Sequence, residues 1–359
     1  MKALLYRAPG RVNGSIEQVP LPVCGSTQVV IKVIACGICK PAESSHDRNG
    51  SILGAYPCTP GHEFAGEVTE VGVGVRSIKA GDRVTADNSV PCGSCYYCKK
   101  GKPAYCEHFG SLGQNLPGGM AEYVLVEENR TFLIPEGIPY EHACLCELIG
   151  CCIHCVDRCG IQYGDTVAVF GAGSSGLILA QLLLRSGASE VIALDSEESK
   201  LERIAKKGAI AIKVERTDYS IHEKEILARH PRGMDIVIDT TGCAELMDRS
   251  VDLLSRGGKF ICYSFPTGPR LAVSLDMSKF IVRELSFLGS TFQSFSFDRA
   301  LLALSNETVD CGILVTDEYP LDRYFEALDK NLNDNTTIKV VIHPNGKTEG
   351  NAEEGDRQR

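Results

Sequence analysis

The chain has 359 residues, 43% of them hydrophobic, and a formal net charge of -9. That length exceeds one ordinary core, so two domains are expected. The acidic balance, with no basic run, excludes nucleic acid and anionic membrane surfaces as partners.

Met1 to Arg11 shows no secretory pattern, because its apolar stretch stops at Tyr6. No window approaches a membrane span. The tract around Leu177 to Leu184 is broken by Gln181 and reads as a buried helix. A cytoplasmic protein is expected. Its 17 cysteines then favour metal ligands and buried thiols over disulfides.

Residues 1–150 read as β-rich. Val29 to Ile34, Glu63 to Val71 and Ala121 to Val126 are short β-branched runs separated by Gly and Pro clusters. Within this part, Cys92, Cys95, Cys98 and Cys106 follow the spacing C-x2-C-x2-C-x7-C. Four thiolates on short loops suit tetrahedral zinc, and a closed set of four leaves no position for substrate, so a structural zinc lobe is expected over 92–106. The spacing matches neither common ferredoxin pattern. A second set is dispersed: Cys39, then His62 and Glu63, then Glu147. Thiolate, imidazole and carboxylate are the usual donors of catalytic zinc, but such scattered residues carry little signal alone. Cys144, Cys146, Cys151, Cys152, Cys155 and Cys159 crowd a stretch that reads as a buried helix, where free thiols act as small hydrophobes. His108, His142, His222 and His230 read as surface histidines.

From about Gly164 strands and helices alternate. Thr166 to Phe170, Val191 to Asp195, Ile236 to Asp239 and Lys259 to Tyr263 read as strands. The stretch up to Ser186, Glu198 to Lys207 and Ala244 to Leu254 read as helices. This rhythm predicts an α/β domain with a doubly wound parallel sheet over 151–290. Its first strand runs into Gly171-Ala172-Gly173-Ser174-Ser175-Gly176, and Asp195 ends the next strand. That is a dinucleotide fingerprint. Gly171 permits the tight turn, and Gly173 lets a diphosphate approach the backbone. Ser174 and Ser175 open the helix whose amides face it, and Gly176 allows close helix–strand packing. Asp195 can accept from both ribose hydroxyls and would repel a 2′-phosphate, as would Glu197 and Glu198. NAD is therefore favoured over NADP. After about Ser290 the alternation fades. Leu321 to Lys330 has a helical period, Thr337 to Ile342 is a last strand, and Asn345 to Arg359 reads as a disordered tail.

In this order, Gly61-His62-Glu63, Gly81-Asp82-Arg83-Val84, the four-cysteine segment and Gly171 to Gly176 resemble the zinc-containing medium-chain dehydrogenase/reductase superfamily. The likeness runs over residues 1–343. It implies a GroES-like catalytic domain at 1–150, a Rossmann nucleotide domain at 151–290, a return to the catalytic domain at 291–344, and a catalytic metal between domains. Two zinc ions per chain and a homodimer or homotetramer are implied. So are Cys39, His62 and Glu63 as metal ligands. Glu147 falls where sorbitol-type polyol dehydrogenases carry glutamate and binds directly or through water; Cys151 is the alternative ligand. Lys40 and Lys339 match basic positions near the pyrophosphate, and Lys200 matches a ribose contact.

The resemblance thus implies oxidation of a small-molecule polyol to a ketose, with hydride passing to the nicotinamide. Threonine, butanediol or a simple alcohol are alternative substrates, and a non-catalytic cofactor-binding sensor is the alternative of another class. One departure stands out. The usual Ser or Thr of the proton relay is Pro41, the next Asp is Ala42, and the usual relay His is Ser44. Ser44, Ser45, His46, or a water on Glu63 or Glu147 must replace it.

Overall fold

The computed structural model describes residues 1–50, 53–266, 270–293 and 295–347. The chain forms two compact units. One joins Met1–Glu147 to the chain from Val315 onward, and the other is Leu148–Leu314. Each has its own apolar core: Val29, Ile31, Phe64, Val84 and Tyr324 belong to the first, Ala168, Phe170, Ile192, Val237 and Phe260 to the second.

The first unit is built on a seven-stranded sheet. In spatial order it runs Val315–Pro320, Lys339–His343, Gln28–Gly37, Glu63–Val71, Arg83–Ala86 and Thr131–Leu133, with Tyr123–Glu127 also paired to Gln28–Gly37. Strand Gln28–Gly37 is buried along nearly its whole length and pairs with three neighbours, which makes it the spine of the unit. Its apolar, β-branched composition suits a strand covered on both faces. Gly66 permits the approach of Glu63–Val71, since a Cβ there would lie 2.0 Å from the Lys32 carbonyl oxygen.

The second unit holds a six-stranded, wholly parallel sheet. Its spatial order is Ile210–Lys213, Glu190–Asp195, Thr166–Phe170, Met234–Asp239, Leu254–Cys262, Ser286–Gly289. Numbered along the chain this is 3-2-1-4-5-6, the arrangement that places a dinucleotide at the reversal point beside the first strand. No helix among the described residues is long and apolar enough to cross a membrane.

Three expectations need correction. The return to the first unit comes at Val315, not near 291. Residues 297–305 form a helix, and the segment up to Leu314 is tied into the second unit. Ser296 donates to the Gly150 carbonyl, Arg299 pairs with Asp157, and the Gln181 side chain brackets the Asp310 backbone. His222 is buried between Phe170 and Tyr219 rather than lying on the surface. Of the expected tail, residues 348–359 lie outside the described residues. Asn345, however, is fixed: its amide donates to the carbonyls of Val33 and Glu122, both at 2.8 Å.

Candidate functional site

Antiparallel pairing sets Gly37 opposite Glu63 and Cys36 opposite Phe64. The chain leaves the spine strand through Ile38 and enters helix Lys40–Asp47, with Cys39 as its N-cap residue. Cys39 thus meets His62, which immediately precedes the paired strand. The ligand atoms of Cys39, His62 and Glu63 all lie within 4.8 Å of one another. Glu147, second residue of helix Cys146–Cys159, brings its Oε2 to 4.0 Å from His62 Nε2. It stands at the margin of the cluster, a position compatible with binding directly or through water.

Gly37 makes room for this arrangement. A Cβ there would lie 2.3 Å from Glu63 Oε2. Gly61 turns the chain into His62 with φ 94°, and a Cβ on it would strike the Met120 amide nitrogen.

The site is buried and acidic. Cys39, Glu43, Glu63 and Glu147 surround His62, and the Lys339 ammonium stands against them. Burial pushes the Cys39 thiol up while His62 draws it down. Burial also works to lower the His62 imidazole, but Cys39, Glu147 and Glu43 hold it well above its ordinary value. A site rich in negative donors, with one cation in reserve, fits a divalent metal.

Lys339, expected near a pyrophosphate, is engaged with Glu63 inside the first unit. It opens strand Lys339–His343, and its Nζ lies 2.9 and 2.8 Å from the two Glu63 oxygens and 3.2 Å from the Ile38 carbonyl. Burial opposes its charge, but Glu63 and Cys39 hold the ammonium above its ordinary value. Its charge serves Glu63, which it orients and partly neutralises.

Helix Lys40–Asp47 also carries the residues considered for proton transfer. Ser44 Oγ donates to the Pro41 carbonyl at 3.2 Å and Ser45 Oγ to Ala42 at 2.6 Å, so both hydroxyls close on their own helix. His46 is fully buried. It stacks on Tyr6, and its Nδ1 lies 2.9 Å from the Tyr56 hydroxyl. Burial pushes it down to about 4, so it is neutral near pH 7. Sequence reading missed Glu43. This carboxylate is fully buried and pushed up to about 7 by burial. A lone glutamate in a short helix gives no signal of that position.

Cys92, Cys95, Cys98 and Cys106 converge within 4.8 Å, as their spacing implies. Cys95 and Cys106 sulfurs are 3.9 Å apart, close to the roughly 3.8 Å edge of a tetrahedron with zinc–sulfur bonds of about 2.3 Å. Backbone amides of Cys92 and His108 point at Cys106 Sγ, each at 3.3 Å. Cys92 is drawn down to about 6 by the Ser94 and Cys95 amides, whereas burial and neighbouring sulfurs push Cys98 up to about 12. A central cation would hold all four as thiolates.

In the second unit Gly171 has φ 97°, and a Cβ on Gly176 would lie 1.8 Å from the Gly171 carbonyl oxygen. Among the described residues, nothing lies within 4 Å of the Cβ position of Gly173. Helix Ser174–Leu183 starts there with no side-chain cap, so its first amides face that opening without intrahelical acceptors. These residues fit a dinucleotide diphosphate. Asp195 Oδ2 accepts from the Ala172 amide at 2.6 Å and Oδ1 from the Glu197 amide at 2.9 Å. Each oxygen keeps a further lone pair for a ribose hydroxyl. Lys200 lies in the first turn of helix Glu198–Ala205. Sequence reading also missed Arg216, which donates from Nε and Nη2 to Ser196 Oγ beside Asp195.

Residues 25–136 match the alcohol dehydrogenase GroES-like domain family, and residues 176–306 match the zinc-binding dehydrogenase family. The chain is 32% identical to D-arabinitol dehydrogenase 1 of Uromyces fabae over 349 residues, covering 96% of this chain and 97% of that one. It is 31% identical to a sorbitol dehydrogenase of Bacillus subtilis, with 92% and 94% covered. Among solved structures it is similar to a zinc-binding dehydrogenase from Sinorhizobium meliloti bound to NADP, with TM-score 0.86, 31% identity, and 96% and 99% covered.

Proposed function

The chain belongs to the zinc-binding alcohol dehydrogenase family, and from that membership we propose that it oxidises a secondary hydroxyl of a polyol to a ketose, with NAD favoured and NADP the alternative acceptor. The convergence of half-buried Cys39 with buried His62 and Glu63 carries the proposal. Carboxylates at Glu63 and Glu147 favour a hydrated, multi-hydroxyl substrate, because a second hydroxyl can donate to them. The arabinitol and sorbitol dehydrogenases among its relatives support the same substrate class.

Cys39, His62 and Glu63 would hold the catalytic zinc, with Glu147 bound directly or through water. The metal would lower the pKa of the substrate hydroxyl and stabilise developing negative charge. Lys339 orients Glu63 through both carboxylate oxygens. The hydroxyl proton passes to Glu147 through water, since Ser44 and Ser45 are closed on their own helix and His46 is enclosed by aromatic rings. Gly171, Gly173, Ser174, Ser175 and Gly176 bind the cofactor diphosphate, and Asp195 and Lys200 its ribose. The four-cysteine lobe would hold the structural zinc.

Pairing of two copies through the second unit is part of this reading. Among the described residues, strand Ser286–Gly289 ends the parallel sheet unpaired on one side, and Met277, Ile281 and Val282 in the preceding helix are 60–76% exposed. An open edge next to exposed apolar side chains favours association.

Purified protein incubated with NAD or NADP and a panel of polyols, threonine and simple alcohols tests the assignment. Reduced nicotinamide should accumulate with a polyol and a ketose should form. Turnover confined to threonine or simple alcohols would overturn the substrate class.

A further inference from the structure

Glu43 is fully buried, and among the described residues neither of its carboxylate oxygens has a hydrogen-bond partner. His62 is also buried, and its Nδ1 has no hydrogen-bond partner among the described residues. These orphaned groups face each other: Glu43 Oε1 lies 3.9 Å from His62 Nδ1. The other ring nitrogen, Nε2, points toward Glu147 and the ligand cluster. Burial without a partner is unfavourable for a polar group, and more so for a charge. A fold that keeps both groups this way needs a state in which each is satisfied.

We propose that Glu43 is the positioning residue of the metal site, accepting the Nδ1–H of His62 and thereby fixing the tautomer that presents Nε2 to the metal. This rests on the zinc-site reading above. Metal at Nε2 leaves the ring proton on Nδ1, and movement of less than 1 Å would close that proton onto Glu43 at ordinary hydrogen-bond length. The metal also supplies the charge that the buried carboxylate lacks. Such outer partners tune metal affinity by about 10- to 100-fold.

The helix geometry shows why this chain places the group here. Helix Lys40–Asp47 begins directly after Cys39 with Pro41 in its first turn. Glu43 lies four residues beyond Cys39, about one helical turn on, so the carboxylate and the thiol return to the same side. Ala42, one position earlier, carries no polar group. Glu43 thus couples the helix that delivers Cys39 to the ring of the neighbouring ligand.

The zinc-loaded full chain provides the test. Zinc release to a chromogenic chelator is followed for wild type and Glu43→Gln, with zinc of the four-cysteine lobe as internal control. The variant should release catalytic zinc about 10- to 100-fold faster, with lobe zinc unchanged. Release at the wild-type rate overturns the proposal, and so does equal acceleration at both sites, which marks a merely structural role. A Cys39→Ser control separates the two claims. If it loses no zinc relative to wild type, the metal-site reading itself fails. Should Glu43→Gln not fold, nitrogen-15 spectra of histidine-labelled wild type decide. A protonated Nδ1 and a metal-bound Nε2 on His62 are expected, and metal on Nδ1 contradicts the proposal.

Discussion

The four-cysteine lobe and the Cys39–His62–Glu63 cluster gather metal donors in opposite ways. The lobe takes its ligands from fifteen consecutive residues, 92–106, with little sheet around them. The cluster takes its ligands from two paired strands and the helix after one of them, deep in the unit. A local site depends on loop spacing and on the metal that staples it. A dispersed site depends on register. Moving the pairing of Gly37 with Glu63 by one residue would turn Glu63 to the opposite face of the sheet.

The largest test of this contrast is Cys39→Ser. It should reduce turnover by more than about a hundredfold, because a ligand matters more than an outer-shell partner. Circular dichroism should be unchanged and one zinc per chain lost. Cys98→Ser should lose the other zinc and make residues 92–106 sensitive to limited proteolysis, while NAD binding by the second unit persists. If Cys98→Ser abolished NAD binding, the lobe would not be local.

Lys339→Met probes the buried support of the cluster. It leaves Glu63 as an unpaired buried charge, a loss expected to cost about 3–5 kcal/mol in the metal-free protein by urea unfolding. Bound zinc should recover part of that loss. Arg216→Ala is a smaller perturbation: affinity for NADP should fall a few-fold in a fluorescence titration, while affinity for NAD is held. An equal loss for both would mean that Arg216 does not distinguish a 2′-phosphate from a free ribose hydroxyl.

The smallest effect concerns the strands that close the first unit. A hydrogen bond from His343, helped by Lys347, holds Glu318 down to about 2 against burial. Its folded pKa lies below the unfolded value of about 4.3. The stability it contributes is therefore fully present above that value and is lost as pH falls toward 2. Glu318→Gln should lower Tm at pH 7 and converge on wild type near pH 2. A Tm difference that persists at pH 2 would point to packing instead.

The same contrast explains what could be read from the chain. Cys92 to Cys106 and Gly171 to Gly176 are legible because their chemistry lies in local spacing. Strands Glu63–Val71 and Thr166–Phe170 are legible because apolar runs bounded by Gly and Pro fix them. The Lys339–Glu63 pair is not legible, because a lone lysine in a strand does not reveal a partner 276 residues away. Glu43 and His222 escaped because burial of a polar side chain is a property of the assembled core. The helix at 297–305 and the boundary at Val315 escaped because they depend on packing against the second unit rather than on a local breaker.

One measurement bears most directly on the central claim. The zinc-loaded protein is assayed with its best polyol and NAD, stripped of catalytic zinc by a chelator, assayed again, and then given zinc back. Activity should vanish with the zinc at the Cys39 site and return with it while the lobe keeps its own metal. Polyol oxidation that continues at full rate after that zinc has gone would contradict the account.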